Sequence, residues 1–360
     1  MEEPMSKVLM KGNEAIGEAA IRAGCLNYFA YPITPQSEVA EYLSHRMPEV
    51  GGVFLQGESE VAVSYMIFGA AAAGARVFTT SSSPGVSLMG EGLSYITAAQ
   101  CPAVFVNIMR GGPGLGGILP SQGDYFQATK GMGHGDFKLL VMAPASVQEA
   151  AEMVMRAFPL AEKYRNPVMI LGDGLIGQMM EPVEFPDHLK SEPSNKDEWA
   201  TNGMDTRNSD KRNLVKTLYL IPEELNAHNL LLKEKYEKMK AEILYETYNL
   251  ESDYQVLIVS YGTMSRVCRT AIDNLKETGV EVGMVRPQTL FPFPEQAIFD
   301  AVSKESCQQV LSIEMSMGQM VEDVQRCVQG KCPVEWFGKC GGEVPTPEEV
   351  MDTVKPFVQK

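Results

Sequence analysis

Three polar side chains stand in surroundings that are otherwise small and apolar. Thr34 lies in Tyr31-Pro-Ile-Thr-Pro-Gln-Ser37, Glu60 in Gly57-Glu-Ser-Glu-Val-Ala62, and Arg110 ends the run Ala103-Val-Phe-Val-Asn-Ile-Met-Arg110. Glu60 opens a segment, Val61 to Ala75, that carries no other charge. A lone carboxylate entering a buried helix is costly unless it is paired or its pKa rises. Arg110 stands where an apolar strand runs into Gly111-Gly-Pro-Gly-Leu-Gly-Gly117, the position at which open α/β sheets hold their ligands. An acid tuned by burial and an arginine aimed at an anion point to an enzyme acting on a carboxylate substrate.

The elements that must position these residues are short. Gly12 to Gly24 has helical periodicity closed by glycine, Leu26 to Ala30 reads as a buried strand, and Ser37 is the expected cap of a helix through Leu43. Strands follow at Val53–Leu55, Arg76–Thr80, Val104–Met109, Leu139–Met142 and Pro167–Leu171. Between them come the helix after Glu60, a loop over Ser81–Gly85, a helix over Val86–Ala99 and a helix over Ser146–Tyr164 capped by Ser146. Regular alternation of this kind means a doubly wound parallel α/β sheet. The composition then turns to Pro, Asp, Asn, Ser and Lys from Glu181 to about Asp210, as in a surface excursion. A long polar helix is expected from Pro222 to about Tyr248, with Leu225, Leu232, Tyr236, Met239 and Ile243 on one face. A smaller α/β unit begins at Gln255–Ser260, with strands near Glu281–Val285 and Gln309–Ile313 and helices over Met264–Thr278 and Gln319–Val328.

The 360 residues are enough for two cores, and 31 basic against 46 acidic residues leave a net charge of −15. That balance speaks against nucleic-acid and anionic-membrane partners, which need basic patches. The first thirty residues lack the apolar centre of a signal peptide, and the uncharged run Met66–Ala75 is about half of what a bilayer span requires. A soluble, cytoplasmic protein is expected. Seven cysteines, an odd count, read as reduced thiols. Cys327, Cys332 and Cys340 are spaced C-x4-C-x7-C, which fits neither common ferredoxin pattern.

Gly12-Asn-Glu-Ala, Tyr31-Pro-Ile-Thr-Pro, Ser59-Glu-Val-Ala, Ser82-Ser-Pro-Gly and Met109-Arg-Gly-Gly-Pro-Gly resemble the α-type subunit of the 2-oxoacid:ferredoxin oxidoreductases. The resemblance runs from about Met5 to Phe185 and resumes from about Tyr254, where Ser260-Tyr-Gly-Thr263 and Val285-Arg-Pro-Gln-Thr-Leu-Phe-Pro292 are similar to the transketolase C-terminal domain of that family. It implies a pyrimidine-binding domain over residues 1–185, a linker and long helix over 186–253, and a transketolase C-terminal-like domain over 254–360. Lys163-Tyr-Arg-Asn-Pro-Val-Met-Ile-Leu-Gly-Asp-Gly and Trp336-Phe-Gly-Lys-Cys-Gly-Gly look most like the branched-chain, 2-oxoisovalerate type. The implied reaction is oxidative decarboxylation of 3-methyl-2-oxobutanoate to acyl-CoA and CO2, part of anaerobic metabolism, with electrons passing to ferredoxin.

The resemblance also assigns roles. Glu60 matches the glutamate that contacts the aminopyrimidine ring nitrogen of thiamine diphosphate; its proton favours the imino tautomer, which in turn can deprotonate the thiazolium carbon. Arg110 matches the residue that grips the substrate carboxylate, and Thr34 a substrate-contacting threonine. On the residues alone, Glu60 reads equally as a helix cap, Arg110 as half of a structural ion pair, and Thr34 as a turn residue. Two motifs mislead. Gly112-Pro-Gly-Leu-Gly-Gly117 satisfies the dinucleotide fingerprint, but Pro120 follows at once. Gly172-Asp-Gly174 with Asn202 has nearly the spacing of a diphosphate–magnesium motif, yet Pro182, Pro186 and Pro193 break the helix it needs. No metal site is therefore expected on this chain. A β-type subunit should carry the diphosphate and magnesium, and γ-type and small ferredoxin-like subunits should carry the iron–sulfur clusters, with coenzyme A as co-substrate. The alternative in the same family is a 2-oxoglutarate enzyme, which needs a second cation; near the site segments only Lys130 and Lys138 are available. From other classes, a nucleotide-binding oxidoreductase or a non-catalytic scaffold subunit remains.

Overall fold

Runs of three to six residues, too short for helices, become strands. In the computed structural model, which describes residues 7–186, 196–201 and 212–358, they are β1 (Val8–Lys11), β2 (Asn27–Ala30), β3 (Val53–Gln56), β4 (Phe78–Ser81), β5 (Val104–Met109), β6 (Leu140–Met142), β7 (Val168–Asp173), β8 (Met180–Val183), β9 (Tyr245–Tyr248), β10 (Val256–Val259), β11 (Val282–Pro287), β12 (Thr289–Phe291), β13 (Gln309–Glu314) and β14 (Val334–Gly338). A seven-stranded sheet has the order β12-β6-β7-β5-β4-β2-β3, parallel except for β12. Every residue of β4, β5 and β7 is buried, as a parallel sheet covered on both faces requires. Along β5 the side chains alternate between two cores: Val104, Val106 and Ile108 face one, Phe105 and Met109 the other.

A second sheet, β14-β13-β10-β11-β9, forms the smaller unit. The two units interlock. The strand β12 belongs by sequence to the second unit but pairs with β6 of the first sheet. Arg286 grips both oxygens of Glu149 at 2.8 and 2.6 Å. Burial pushes the Glu149 carboxyl up, but the hydrogen bonds and charge of Arg286 outweigh it and hold the group below its usual range. Gln122 accepts from the Met315 amide at 2.9 Å and donates to the Tyr261 carbonyl at 2.9 Å.

The capping expectations hold at Ser146, whose hydroxyl accepts from the Glu149 amide, and at Gly24, which follows the first helix at φ +76°. Four expectations need correction. Ser37 is the first helical residue rather than the cap, and Gln36 occupies the cap position. The Ser81–Gly85 loop is shorter than expected, because the helix Ser83–Leu88 begins inside it. The surface excursion opens with β8, paired antiparallel with β1. The long helix stops at Lys238; a 3-10 turn over Met239–Glu242 follows, and Tyr245–Tyr248 is not helical but forms β9 against β11. Among the described residues no helix is long and apolar enough to cross a membrane.

Candidate active site

Arg110 directly follows the last residue of β5, and there the chain doubles back. Arg110 bridges Pro120, the Gly111 amide reaches the Leu119 carbonyl at 2.9 Å, and the Gly117 amide reaches the Gly111 carbonyl at 2.8 Å. A β-carbon on Gly116 would fall 1.9 Å from the Gly111 oxygen, so the tight loop requires glycine there. The loop opens no helix after its glycines, so it is not a dinucleotide turn. Arg110 itself is 8% exposed. Its Nη1 donates to the Thr34 carbonyl at 2.8 Å and its Nη2 to the Leu115 carbonyl at 3.1 Å, while its Nε is buried without a partner. Both bonds go to carbonyls, so among the described residues no carboxylate balances this guanidinium. Among the described residues the ion-pair alternative for Arg110 finds no partner. Thr34 is exposed, and what meets Arg110 is its carbonyl.

Glu60 is the first residue of the helix Glu60–Ala72, and the hydroxyl of Ser59 caps that helix by accepting from the Ala62 amide. Glu60 is therefore not needed as the cap. It is 6% exposed, whereas Glu58 lies at the surface and accepts from Ser59 Oγ. No group among the described residues donates a hydrogen bond to the Glu60 carboxylate. A β-carbon on Gly85 would fall 2.7 Å from Glu60 Oε1 and 2.3 Å from Ser81 Oγ, so the glycine of Ser82-Ser-Pro-Gly85 makes room for the acid. The hydroxyls of Ser81 and Ser82 are also buried without partners. Glu60 Oε1 and the orphaned Ser81 hydroxyl meet at the same space over Gly85, and a buried carboxyl beside an unpaired hydroxyl calls for a polar ligand. An aminopyrimidine, with ring nitrogens and an exocyclic amine, fits that donor and acceptor set.

Sequence reasoning missed a network that joins these parts. Ser83 Oγ donates to Asp124 Oδ2 at 2.6 Å and accepts from the Arg110 amide at 3.0 Å. The Ser83 amide donates to Asn107 Oδ1 at 3.0 Å, and Asn107 Nδ2 donates to Asp124 Oδ2 at 2.9 Å. Burial raises the Asp124 carboxyl above its ordinary value, against the opposing hydrogen bonds of Ser83 and Asn107. The available signal was Asn107, a polar residue in an otherwise apolar strand.

The magnesium-like motif has a structural explanation. Asp173 Oδ1 accepts from the Leu175 and Ile176 amides at 2.9 and 3.2 Å, capping the helix Gly174–Gln178. Asn202 lies outside the described residues. Lys130 pairs with Asp323, and Lys138 donates to the Thr129 carbonyl, so neither is a free cation beside Arg110.

Residues 18–245 match the family described as pyruvate flavodoxin/ferredoxin oxidoreductase, thiamine diP-binding, and residues 255–350 match pyruvate:ferredoxin oxidoreductase core domain II. The chain is 44% identical over 353 residues to ketoisovalerate oxidoreductase subunit VorB of Methanothermobacter thermautotrophicus, covering 98% of each. Among solved structures it is similar to 2-oxoglutarate:ferredoxin oxidoreductase from Magnetococcus marinus, with 2-oxoglutarate, coenzyme A and succinyl-CoA bound, at TM-score 0.85 and 27% identity, over 99% of this chain and 66% of that one. A split-gene transketolase shares the fold at TM-score 0.59 and 15% identity, over 97% and 98% of the two chains. The first match takes in Thr34, Glu60 and Arg110 together, and the chain belongs to the pyruvate flavodoxin/ferredoxin oxidoreductase family.

Proposed function

We propose that this chain is the α-type subunit of a branched-chain 2-oxoacid:ferredoxin oxidoreductase, acting on 3-methyl-2-oxobutanoate. The observation that carries the reading is the pair of unsatisfied groups on either side of the Ser82–Gly85 turn: Glu60 without a donor and Arg110 without a counter-ion. Thiamine diphosphate, when bound, supplies the nucleophilic carbon and the electron sink for loss of CO2. Glu60 holds a proton at the aminopyrimidine ring nitrogen. Arg110 takes the substrate carboxylate and so orients the ketone, while Thr34 lines the approach to it. Acyl transfer to coenzyme A and two one-electron transfers to ferredoxin complete the reaction. The diphosphate, magnesium and iron–sulfur clusters belong to β-type, γ-type and ferredoxin-like partners in a cytoplasmic complex, a setting that suits the seven free cysteines of this chain.

The branched-chain choice rests on the loop beyond Arg110. Leu115, whose carbonyl holds the guanidinium, is 86% exposed, and Ile118 and Leu119 are 60% and 57% exposed. These aliphatic side chains suit an apolar substrate tail. A 2-oxoglutarate enzyme needs a cation there, and Lys130 is committed to Asp323. The 44% identity to a ketoisovalerate subunit supports the same choice. Assay of the purified complex against a panel of 2-oxoacids tests it. The expected order of kcat/KM places 3-methyl-2-oxobutanoate above 2-oxoglutarate and pyruvate; a preference for 2-oxoglutarate would overturn the substrate assignment.

A further inference from the structure

We infer that Asp124 is a positioning residue for Arg110, acting through Ser83 and Asn107; the inference rests on the reading of Arg110 given above. Asp124 occupies the N-cap position of the helix Tyr125–Thr129, yet its side chain does not cap that helix. It turns instead to the end of β5 and to the Ser82–Gly85 turn, and Oδ2 receives two hydrogen bonds, from Ser83 Oγ and Asn107 Nδ2. The Phe126 amide, which a capping side chain would serve, is taken by Gln319 Oε1 at 2.8 Å, so Asp124 is released to work elsewhere. Its partners are neutral, so no cation draws it there.

A hydroxyl has one hydrogen to give. With that hydrogen on Asp124 at 2.6 Å, the Ser83 lone pair is turned to the Arg110 amide at 3.0 Å. Without the carboxylate nothing anchors the Ser83 hydroxyl: its hydrogen is free to swing to the Arg110 carbonyl, 3.4 Å away, and its oxygen is free to rotate off the buried Arg110 amide. The guanidinium reaches the Thr34 and Leu115 carbonyls from that same backbone, so its aim depends on how residue 110 is held. Asn107 closes the circuit by accepting from the Ser83 amide while donating to Asp124. Three separate segments thus fix one arginine.

The test uses the assembled complex carrying Asp124→Ala, Asp124→Asn or Ser83→Ala, with Arg110→Lys in parallel. Asp124→Ala and Ser83→Ala should each raise KM for every 2-oxoacid about tenfold, the scale of one lost charge-assisted hydrogen bond, with the dissociation constant of thiamine diphosphate unchanged. Asp124→Asn should recover most of the affinity, because its amide oxygen can accept both hydrogen bonds. If Asp124→Ala fails to assemble, Ser83→Ala and Asp124→Asn carry the comparison. An unchanged KM in Ser83→Ala or Asp124→Ala, beside a raised KM in Arg110→Lys, overturns the inference and leaves the reading of Arg110 intact. An unchanged KM in Arg110→Lys overturns both. Equal losses of cofactor and substrate affinity that Asp124→Asn does not restore would reduce Asp124 to a purely structural role and overturn it too.

Discussion

Gly85 gives the Glu60 carboxylate its space: a β-carbon at position 85 would lie 2.7 Å from Oε1. The contact is between the first residue of one helix and the third of another, and a methyl group there must displace both the acid and the Ser81 hydroxyl, the latter at 2.3 Å. Overpacking of this kind costs on the order of 1–3 kcal/mol. Gly85→Ala should therefore lower thermal stability modestly while weakening thiamine diphosphate binding to the complex by about tenfold or more. Calorimetric titration with the cofactor, beside a melting curve, checks this. Full cofactor affinity would mean that the acid does not work from its present position.

Glu60→Gln should leave assembly intact and slow proton exchange at the reactive carbon of bound thiamine diphosphate. An amide keeps the shape and hydrogen-bonding capacity but cannot pass a proton to a ring nitrogen. General acid–base groups are typically worth about 10²–10⁴ in rate. Exchange followed by NMR on quenched samples reads this step without the later electron transfers. Wild-type exchange would leave Glu60 no part in cofactor activation.

Lys235 carries a prediction independent of the active site. It is 8% exposed, and burial, followed by the charge of Arg165, brings its ammonium down from 10.5 to about 7. The folded value lies below the unfolded one, so the stability tied to this group is present at high pH and lost as pH falls through about 7. Between the two values the unfolded chain holds one more proton, and this contribution rises by about 1.4 kcal/mol per pH unit. Lys235→Met keeps the apolar stem and removes the titration. Its stability advantage over the wild type should be largest near pH 7 and shrink steadily towards pH 10. Denaturant midpoints measured across that range check the slope; a pH-independent difference would contradict it.

What the sequence made legible was local. Ser146 announced its helix, the apolar run before Arg110 announced β5, and Thr34, Glu60 and Arg110 were visible as polar residues in apolar settings. What stayed hidden depends on partners far away along the chain. Tyr245–Tyr248 has no strand pattern of its own and becomes β9 only because β11 offers an edge. Thr289–Phe291 joins the first sheet across an interface that no sequence period reveals. Asp124 looked like an ordinary acid after a loop; its role exists only because Ser83, 41 positions earlier, lies within hydrogen-bonding distance.

The central claim, that Arg110 receives a 2-oxoacid carboxylate in a site shared with thiamine diphosphate, is tested most directly by Arg110→Lys in the assembled complex. Lysine keeps the charge but cannot hold both carboxylate oxygens in one plane, nor span the Thr34 and Leu115 carbonyls together. The expected loss is on the order of 1.5–3 kcal/mol in substrate binding, read as a KM raised about tenfold to a hundredfold. It should be alike for every 2-oxoacid, since all share the carboxylate, and cofactor affinity should not change. Unchanged steady-state constants, or a variant that has lost its cofactor while its KM stays at the wild-type value, would contradict the account.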